Sequence, residues 1–273
     1  MNDGGGETSD GELLFSGRFG RAAVATRIVA ATRPSTPELE REIEQRWQAA
    51  VAAAARDGRD LWDGALLRFV AAEARRDGAT TQVRLDVAPG RYREFAATNL
   101  APDLRPADRG GRFPWHSFGN AIGTSALVVT GDGAVVVGRR SDRVFGLPGH
   151  VHAFGGMLEP ADWADDATHV DVFASMEREL AEEVGVAPGE WSDLVLLGLL
   201  REPQLDQPEL LFAATTALDR AELRRRSEHA PSRAEHAALI ELPRAAAARA
   251  DALSALARVS AVTRVASRLL GDV

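Results

Sequence analysis

Neither cysteine nor lysine occurs anywhere in these 273 residues. Without cysteine the chain has no disulfides, no thiolate nucleophile, no Cys-based zinc site and no iron–sulfur cluster of its own. Without lysine it has no Schiff-base amine, no Walker-type phosphate loop and no kinase-type ATP site, each of which needs that side chain at a fixed place. All 32 basic residues are arginine, and 40 acids outnumber them to leave a net charge of −8. A sequence-blind nucleic-acid binder needs a basic face to neutralise phosphates, so that role starts at a disadvantage. No apolar run approaches the roughly 18–20 residues that span a bilayer. The opening stretch, MNDGGGETSDGE, has neither the basic start nor the apolar core of a signal peptide. The expectation is a disordered tail over residues 1–12 of a cytoplasmic protein, with no nucleic-acid and no membrane partner.

What is present is the composition of a soluble globular protein, 45% hydrophobic and 26% charged. The length allows one large domain, or an ordinary domain plus a smaller one. Thr36 followed by Pro37 and Glu38 is a helix-start signal, and Leu39, Ile43, Trp47 and Val51 then recur at helical spacing. A second apolar segment spans Leu61 to Ala72, and Gln82 to Val87 alternates as a half-buried strand does. Residues 101–120, rich in Pro, Gly and charge, read as a linker in which Trp115, His116 and Phe118 dock against a neighbour. From Ser125 the pattern changes. Ala126 to Thr130 and Ala134 to Val137 flank Gly131-Asp132-Gly133 as two strands around a tight turn. Leu194–Leu200, Leu210–Thr216 and Ala237–Leu242 are further strands. Arg244 to Leu270 reads as one amphipathic helix, with Leu253, Leu256, Val259, Val262, Val265 and Leu269 on the face packed against the body.

The most informative stretch is Asp171 to Val186, DVFASMERELAEEVGV. At about 100° per residue, Phe173, Met176, Leu180 and Val184 form one apolar stripe. Glu179, Glu182 and Glu183 fall within a sector of about 100° beside it, and Gly185 is placed to cap the helix. Like charges three and four residues apart weaken a helix by a few tenths of a kcal/mol each, and acids near its C-terminus face the wrong end of the dipole. A solvated acidic face accommodates this arrangement. So does a bound divalent cation, which takes carboxylate oxygens and leaves room for phosphate oxygens.

Arg178-Glu179-Leu180-Ala181-Glu182-Glu183-Val184-Gly185-Val186 matches the REUxEExGU half of the Nudix box without a departure, and Gly155-Gly156-Met157-Leu158-Glu159-Pro160 resembles the glycine loop that opens it. The first half does depart. Asp162 stands where the family has glutamate, and fifteen residues instead of seven separate it from Arg178, an excess of eight over roughly Trp163 to Val170. Several further segments resemble the UDP-glucose/UDP-galactose pyrophosphatase branch of the family, in order over most of residues 38–245. They are Ile43 to Trp47, Leu61-Trp62-Asp63 leading to Arg68-Phe69, Tyr92-Arg93-Glu94-Phe95 with Thr98-Asn99, Arg139-Arg140-Ser141, and Leu196-Leu197-Gly198 before Arg201.

The resemblance implies an α/β fold, a Nudix-type α/β/α sandwich with a mixed sheet, preceded by a smaller α+β N-terminal region. The divisions are 13–119 for that region, capping the site, 120–245 for the Nudix hydrolase domain and 246–273 for the packed C-terminal helix. It implies Mg²⁺, or Mn²⁺ in its place, held by Glu179, Glu182 and Glu183 with the Gly155 carbonyl, and Arg178 orienting the glutamates. The implied reaction is hydrolysis of a nucleoside diphosphate sugar, UDP-glucose or UDP-galactose, to UMP and sugar 1-phosphate. Coenzyme A or ADP-ribose hydrolysis and a non-catalytic nucleotide-sensing module are the alternatives; Arg140-Ser141 and Gly149 resemble the coenzyme A branch's motif, but Phe145 and Ala153 occupy two of its key slots. The general base is open between a box glutamate and an acid on a later loop, where Glu228 and Glu235 are the candidates. Among Arg139, Arg140 and Arg201, Arg140 is the preferred phosphate ligand, with Arg201 a further candidate, since a planar guanidinium fork suits phosphate oxygens. Tyr92, Arg93 and Asn99 reach the substrate if the N-terminal region covers the site. His150 and His152 are a weak metal pair, 146–150 a turn, and Arg224 to Arg226 a solvated helix face.

Overall fold

The structure is a computed structural model that describes residues 10–58, 61–78, 80–101, 103–142, 144, 147–162 and 169–272. Residues 1–9 of the expected tail, residues 163–168 of the insertion, and Phe145 and Gly146 lie outside these.

Among the described residues, ten strands form two sheets. Strands β1 (Glu12–Phe19), β5 (Gly123–Val129), β6 (Val135–Arg140), β7 (Val151–His152), β8 (Trp191–Arg201), β9 (Pro208–Thr216) and β10 (His236–Leu242) build the larger one. Its order is β1-β8-β9-β5-β6-β10, with β7 paired to β6. The β5–β9 pair is parallel and the other pairs antiparallel, so the sheet is mixed. Strands β2 (Val24–Ile28), β3 (Ala65–Asp77) and β4 (Thr80–Arg91) make a three-stranded sheet in the order β2-β4-β3.

Helices α1 (Pro37–Arg56) and α2 (Tyr92–Ala97) belong to the N-terminal region, followed by α3 (Val172–Val184), α4 (Arg220–Ser227), α5 (Ala246–Ser254) and α6 (Ala261–Leu270). The strand period of two decides the layers. Ala126, Val128, Leu196 and Phe212 turn to one face, where Phe173, Met176, Leu180 and Val184 of α3 pack together with Leu67, Leu85 and Val87 of the small sheet. Leu127, Val129, Leu197 and Leu211 turn to the other, against Leu253 of α5 and Val262, Val265 and Leu270 of α6. Covered on both faces, β5 is buried along its whole length.

Local signals are met where they were strongest. The Thr36 hydroxyl accepts from the Leu39 N–H at 3.2 Å and caps α1. Gly133 takes φ 84° in the β5–β6 turn, and Gly185 closes α3 at φ 71°. Trp115 docks as the linker reading expected, its Nε1 donating to the Asp206 carbonyl at 2.7 Å.

Three expectations need correction. Residues 10–12 are ordered rather than part of a tail: Glu12 opens β1, and the buried Asp10 is ion-paired with Arg264 (2.7 Å) and with Arg268. Pairing with β8 places β1 in the main sheet, so residues 13–119 are not confined to a separate unit. The single C-terminal helix is two helices, because the backbone between them pairs with β7: Val151 N–H donates to Arg258 at 2.8 Å, Ser260 N–H donates to Val151 at 3.0 Å, and Ser260 then caps α6.

Arg249 of α5 is fully buried. Its guanidinium donates to Ser267 Oγ (2.9 Å), the Ser267 carbonyl (3.2 Å), the Pro243 carbonyl (3.3 Å), and the Arg244 and Gly271 carbonyls. It clamps the ends of α5 and α6 with a planar fork that lysine cannot reproduce. Arg249→Ala strands several buried carbonyls and is expected to destabilise the fold by roughly 3 kcal/mol or more. Arg249→Lys should recover only part of that. Thermal unfolding checks this; a melting temperature for Arg249→Ala within about 2 °C of the parent would contradict the assignment.

Candidate active site

Helix α3 begins at Asp171, whose carboxylate accepts from the N–H groups of Phe173 (3.0 Å) and Ala174 (3.1 Å). Burying its apolar stripe turns the glutamate row toward the glycine loop. That loop runs antiparallel to β5, held by Ala126 N–H to Phe154 O (2.7 Å), Thr124 N–H to Gly156 O (2.9 Å) and Leu158 N–H to Ile122 O (2.9 Å). Gly155 adopts φ 154°, and a Cβ there would lie 1.8 Å from the Thr124 carbonyl, so only glycine fits. The Gly155 N–H donates to Glu183 Oε2 at 2.9 Å.

The three glutamates differ in environment. Glu183 is buried, with His236 Nε2 at 3.2 Å, within pairing distance but not aligned as a hydrogen bond. Glu179 packs beneath Gly156 and pairs with Arg178 at 2.9 Å. Burial pushes its carboxyl up to about 7; Arg178 opposes the shift, while Glu183 and Glu182 add to it. Glu182 is the most open of the three, 3.7 Å from Arg178. Arg178 also bonds to Asp162 at 3.2 Å, and Asp162 accepts from the Ser175 hydroxyl at 3.1 Å and the Glu159 N–H at 2.8 Å. The aspartate in place of the family's glutamate therefore still reaches the arginine across the insertion.

Among the described residues, no three His, Asp or Glu side chains already converge as a finished metal cage. The donor set nonetheless fits Mg²⁺, which binds through one or two carboxylates, waters and substrate phosphates in preference to an all-protein cage. Burial, with a smaller addition from Glu183 and Glu182, drives Glu179 toward protonation, and a dication would offset that cost.

A cleft in two halves opens over this row. The outer half, about 600 Å³, is lined by Arg178, Glu179, Glu182, Glu159 and Trp62, whose side chain is 77% exposed. The inner half, about 450 Å³, is lined by Arg140, His152, Ser125, Gln207 and Glu209 among others. Tyr92, Gly155, Gly156, Met157 and Glu235 line both, and so mark where the halves meet.

Of the residues singled out in the sequence, Glu179, Glu182, Glu183, Arg178, Gly155, Arg140 and Tyr92 are brought together here. Arg140 faces Glu183, Glu235 and Glu209, and burial lowers its pKa against their pull. Glu235, one of the two acids considered as base, lines both halves, and burial followed by Glu183 raises its pKa. Glu228 instead lines a separate cavity of about 250 Å³ with Glu183, His236 and Arg224.

Arg201 and Asn99 are corrections. Arg201 is buried, bonded to Asp206 (2.9 Å) and Asp108, and lies 4.5 Å over the Trp115 ring, which leaves its fork no room for a phosphate. The Asn99 amide, also buried, donates to Asn120 Oδ1 at 3.1 Å and the Leu205 carbonyl at 2.9 Å, fixing the linker. Arg93 is likewise drawn to Asp63 (3.7 Å) and Glu44 (3.8 Å). Arg139 donates to the Gly149 carbonyl at 3.3 Å. The two histidines do not pair: His152 Nδ1 meets Ser260 Oγ at 3.0 Å, and His150 Nδ1 the Pro148 carbonyl at 3.1 Å. Glu209, Gln207, Ser125 and His236 were missed. The one available signal was a lone acid opening the apolar run of β9.

A row of glutamates beneath a glycine loop, on a mixed sheet with helices on both faces, is the arrangement of a Nudix-type α/β/α sandwich. The chain resembles the Nudix family in that loop and helix. No protein-family model matches it. It is 30% identical over 123 residues to the uridine diphosphate glucose pyrophosphatase NUDT22 of Bos taurus, which covers 40% of this chain and 42% of that protein. The chain thus spans less than half the length of that relative. Among solved structures, DR0079 from Deinococcus radiodurans is similar over 54% of this chain and 81% of that one, at 12% identity and a TM-score of 0.38. A MutT protein from Methanosarcina mazei Go1 is similar over 54% of this chain and 90% of that one, at 16% identity and a TM-score of 0.32. Likeness this loose adds nothing to the geometry above. No helix among the described residues is long and apolar enough to cross a membrane.

A Cβ at Gly156 would stand 2.6 Å from the Glu179 carboxyl. Since the obstacle is the end of a flexible side chain, Gly156→Ala is expected to keep the fold and displace Glu179. Calorimetric titration with Mn²⁺ should then show affinity weakened about 10-fold or more; unchanged uptake in a normally melting variant would remove Glu179 from the site.

Proposed function

We propose that this protein hydrolyses the pyrophosphate bond of a nucleoside diphosphate sugar, UDP-glucose or UDP-galactose, releasing UMP and sugar 1-phosphate. The observation that carries the reading is the carboxylate row opening onto a cleft whose two halves meet at the glycine loop. A diphosphate seated at that junction has one moiety on each side. The local identity with a uridine diphosphate glucose pyrophosphatase supports this substrate class.

A bound Mg²⁺ neutralises phosphate oxygens and lowers the pKa of a bound water. The chain's own residues do the rest. Glu179, Glu182 and Glu183, with the Gly155 carbonyl, would hold the cation. Asp162 fixes Arg178, which orients Glu179 and Glu182. Arg140 takes phosphate charge at the junction, and Tyr92 closes the cleft from the N-terminal side. Glu235, half-buried and with a raised pKa, accepts the proton of the attacking water. The water oxygen bonds to one phosphorus, and the bridging bond breaks with its electron pair leaving on the departing phosphate. Positioning and charge neutralisation suffice, so no covalent nucleophile is needed.

A panel of UDP-glucose, UDP-galactose, ADP-ribose and coenzyme A with Mg²⁺ tests the reading. UMP release from the UDP-sugars is the expected result. A preference for coenzyme A or ADP-ribose would overturn the substrate assignment, and tight binding without turnover would overturn catalysis. Glu183→Gln is expected to lower kcat on the order of 100-fold with its circular dichroism unchanged; an undiminished rate would make the row decorative.

A further inference from the structure

The inner half of the cleft contains a polar corner that pyrophosphate hydrolysis leaves unused. The Glu209 carboxylate, at the start of β9, is buried and lies 2.5 Å from the Ser125 hydroxyl that donates to it. Position 123 being glycine makes the room: a Cβ there would fall 1.8 Å from Glu209 Oε2 and 2.9 Å from Gln207 Nε2. Carboxyl and amide therefore sit side by side over the Gly123 backbone.

Around this corner the cavity is walled by Phe95, Leu100, Leu147, Met157 and Leu205. Hydrocarbon walls with a polar floor suit a flat heterocycle, whose faces meet apolar side chains while its edge finds donors and acceptors. A hexose presents hydroxyls on all sides and would leave several of them against hydrocarbon. Glu209, Gln207 and Ser125 line the inner half and not the outer one. We infer that Glu209, with Gln207 beside it, binds the hydrogen-bonding edge of the substrate's nucleobase and determines which base is accepted. This rests on the nucleoside diphosphate reading above and assigns which end of that substrate enters the inner cavity.

Protonation gives the corner its character. Burial pushes the Glu209 carboxyl up to about 8, helped by Glu202 just past β8 and opposed by the Ser125 hydrogen bond and by Arg140 of β6. Near neutral pH it therefore offers one O–H donor and one carbonyl acceptor, which match a ring carbonyl and the adjacent N3–H of uracil. The Gln207 amide supplies a further donor. Above that pH the carboxylate only accepts, and the ring carbonyl loses its partner.

The test uses the full chain with UDP-, CDP-, ADP- and GDP-glucose, together with UMP binding by calorimetry without metal. Glu209→Ala is expected to raise KM for UDP-glucose about 10-fold with kcat changed less than about twofold, and to weaken UMP binding by a similar factor. It should also flatten the ranking among the four bases. Glu209→Gln, neutral at every pH, is expected to keep the affinity at pH 7 and to abolish the rise in KM that the parent shows as pH passes about 8. Unaltered KM, UMP affinity and base ranking in a Glu209→Ala variant that melts like the parent would overturn the inference. Where that variant does not fold, Glu209→Gln decides: a parental pH profile of KM overturns it. If the parent cleaves none of the four sugars, the function proposal fails instead, and metal-free UMP binding by parent and variants still decides the role of Glu209.

Discussion

The Gly155 N–H on Glu183 Oε2 ties the glutamate-bearing helix α3 to the glycine loop. It joins α3, which carries the carboxylates, to the segment that lies along β5, and so sets how close the glutamates stand to the Gly155 backbone. Crowded carboxylates are tolerated here because part of their charge is answered locally, at Glu183 by a backbone N–H and at Glu179 by Arg178. Burial raises the Glu179 carboxyl against the pull of Arg178, and Glu183 and Glu182 add to the rise. A site fully neutralised by its own side chains would have nothing left to offer a cation; this one retains net negative charge aimed at the cleft.

The absence of lysine shapes the rest of the architecture. Every cation in the protein is a guanidinium, charged at all accessible pH values and able to bind several acceptors in one plane. Arg249 satisfies backbone carbonyls at two helix ends, Arg201 joins β8 to the linker through Asp108 and Asp206, and Arg178 spans Asp162 and the glutamate row. These are clamps built from one chemistry. Titration in the physiological range is then left to carboxyls and imidazoles at the cleft, where Glu179, Glu209 and Glu235 have raised pKa values and His152, beside Arg140, is held neutral by burial.

What was legible in the sequence was what has a local period or a local stop. The stripe of Phe173, Met176, Leu180 and Val184 marks α3, Gly185 its end, and Gly131-Asp132-Gly133 the hairpin; each is a property of neighbours a few residues apart. The glutamate row followed from the same helical geometry. What was not legible depends on distant partners. The pairing of β1 with β8 joins segments far apart in the chain, and nothing in ELLFSGRF names its neighbour. Arg140 and Arg201 look alike as residues; one faces the cleft because β6 delivers it there, and the other is consumed by Asp206 and Trp115. The break between α5 and α6 is imposed by β7, which draws the backbone around Val259 into pairing in spite of a continuous apolar face.

The eight residues by which the stretch between Asp162 and Arg178 exceeds the Nudix pattern it resembles are accommodated by the same reasoning. The ends of the inserted segment are pinned: the Asp171 N–H donates to the Asp162 carbonyl at 3.3 Å, the Val170 N–H donates to Thr26 Oγ1 at 2.7 Å, and the Asp162 side chain holds Arg178 and Ser175. With both ends fixed by bonds outside the insertion, its length enters only through loop-closure entropy. Going from seven to fifteen residues is about one doubling, which costs roughly 0.6 kcal/mol. That is less than a single well-made hydrogen bond to a charged group contributes, and Asp162 makes several. The loop-to-helix contact that positions Arg178 is therefore stronger than the penalty for lengthening the chain between its two sides, which explains how the box is stretched without separating its halves.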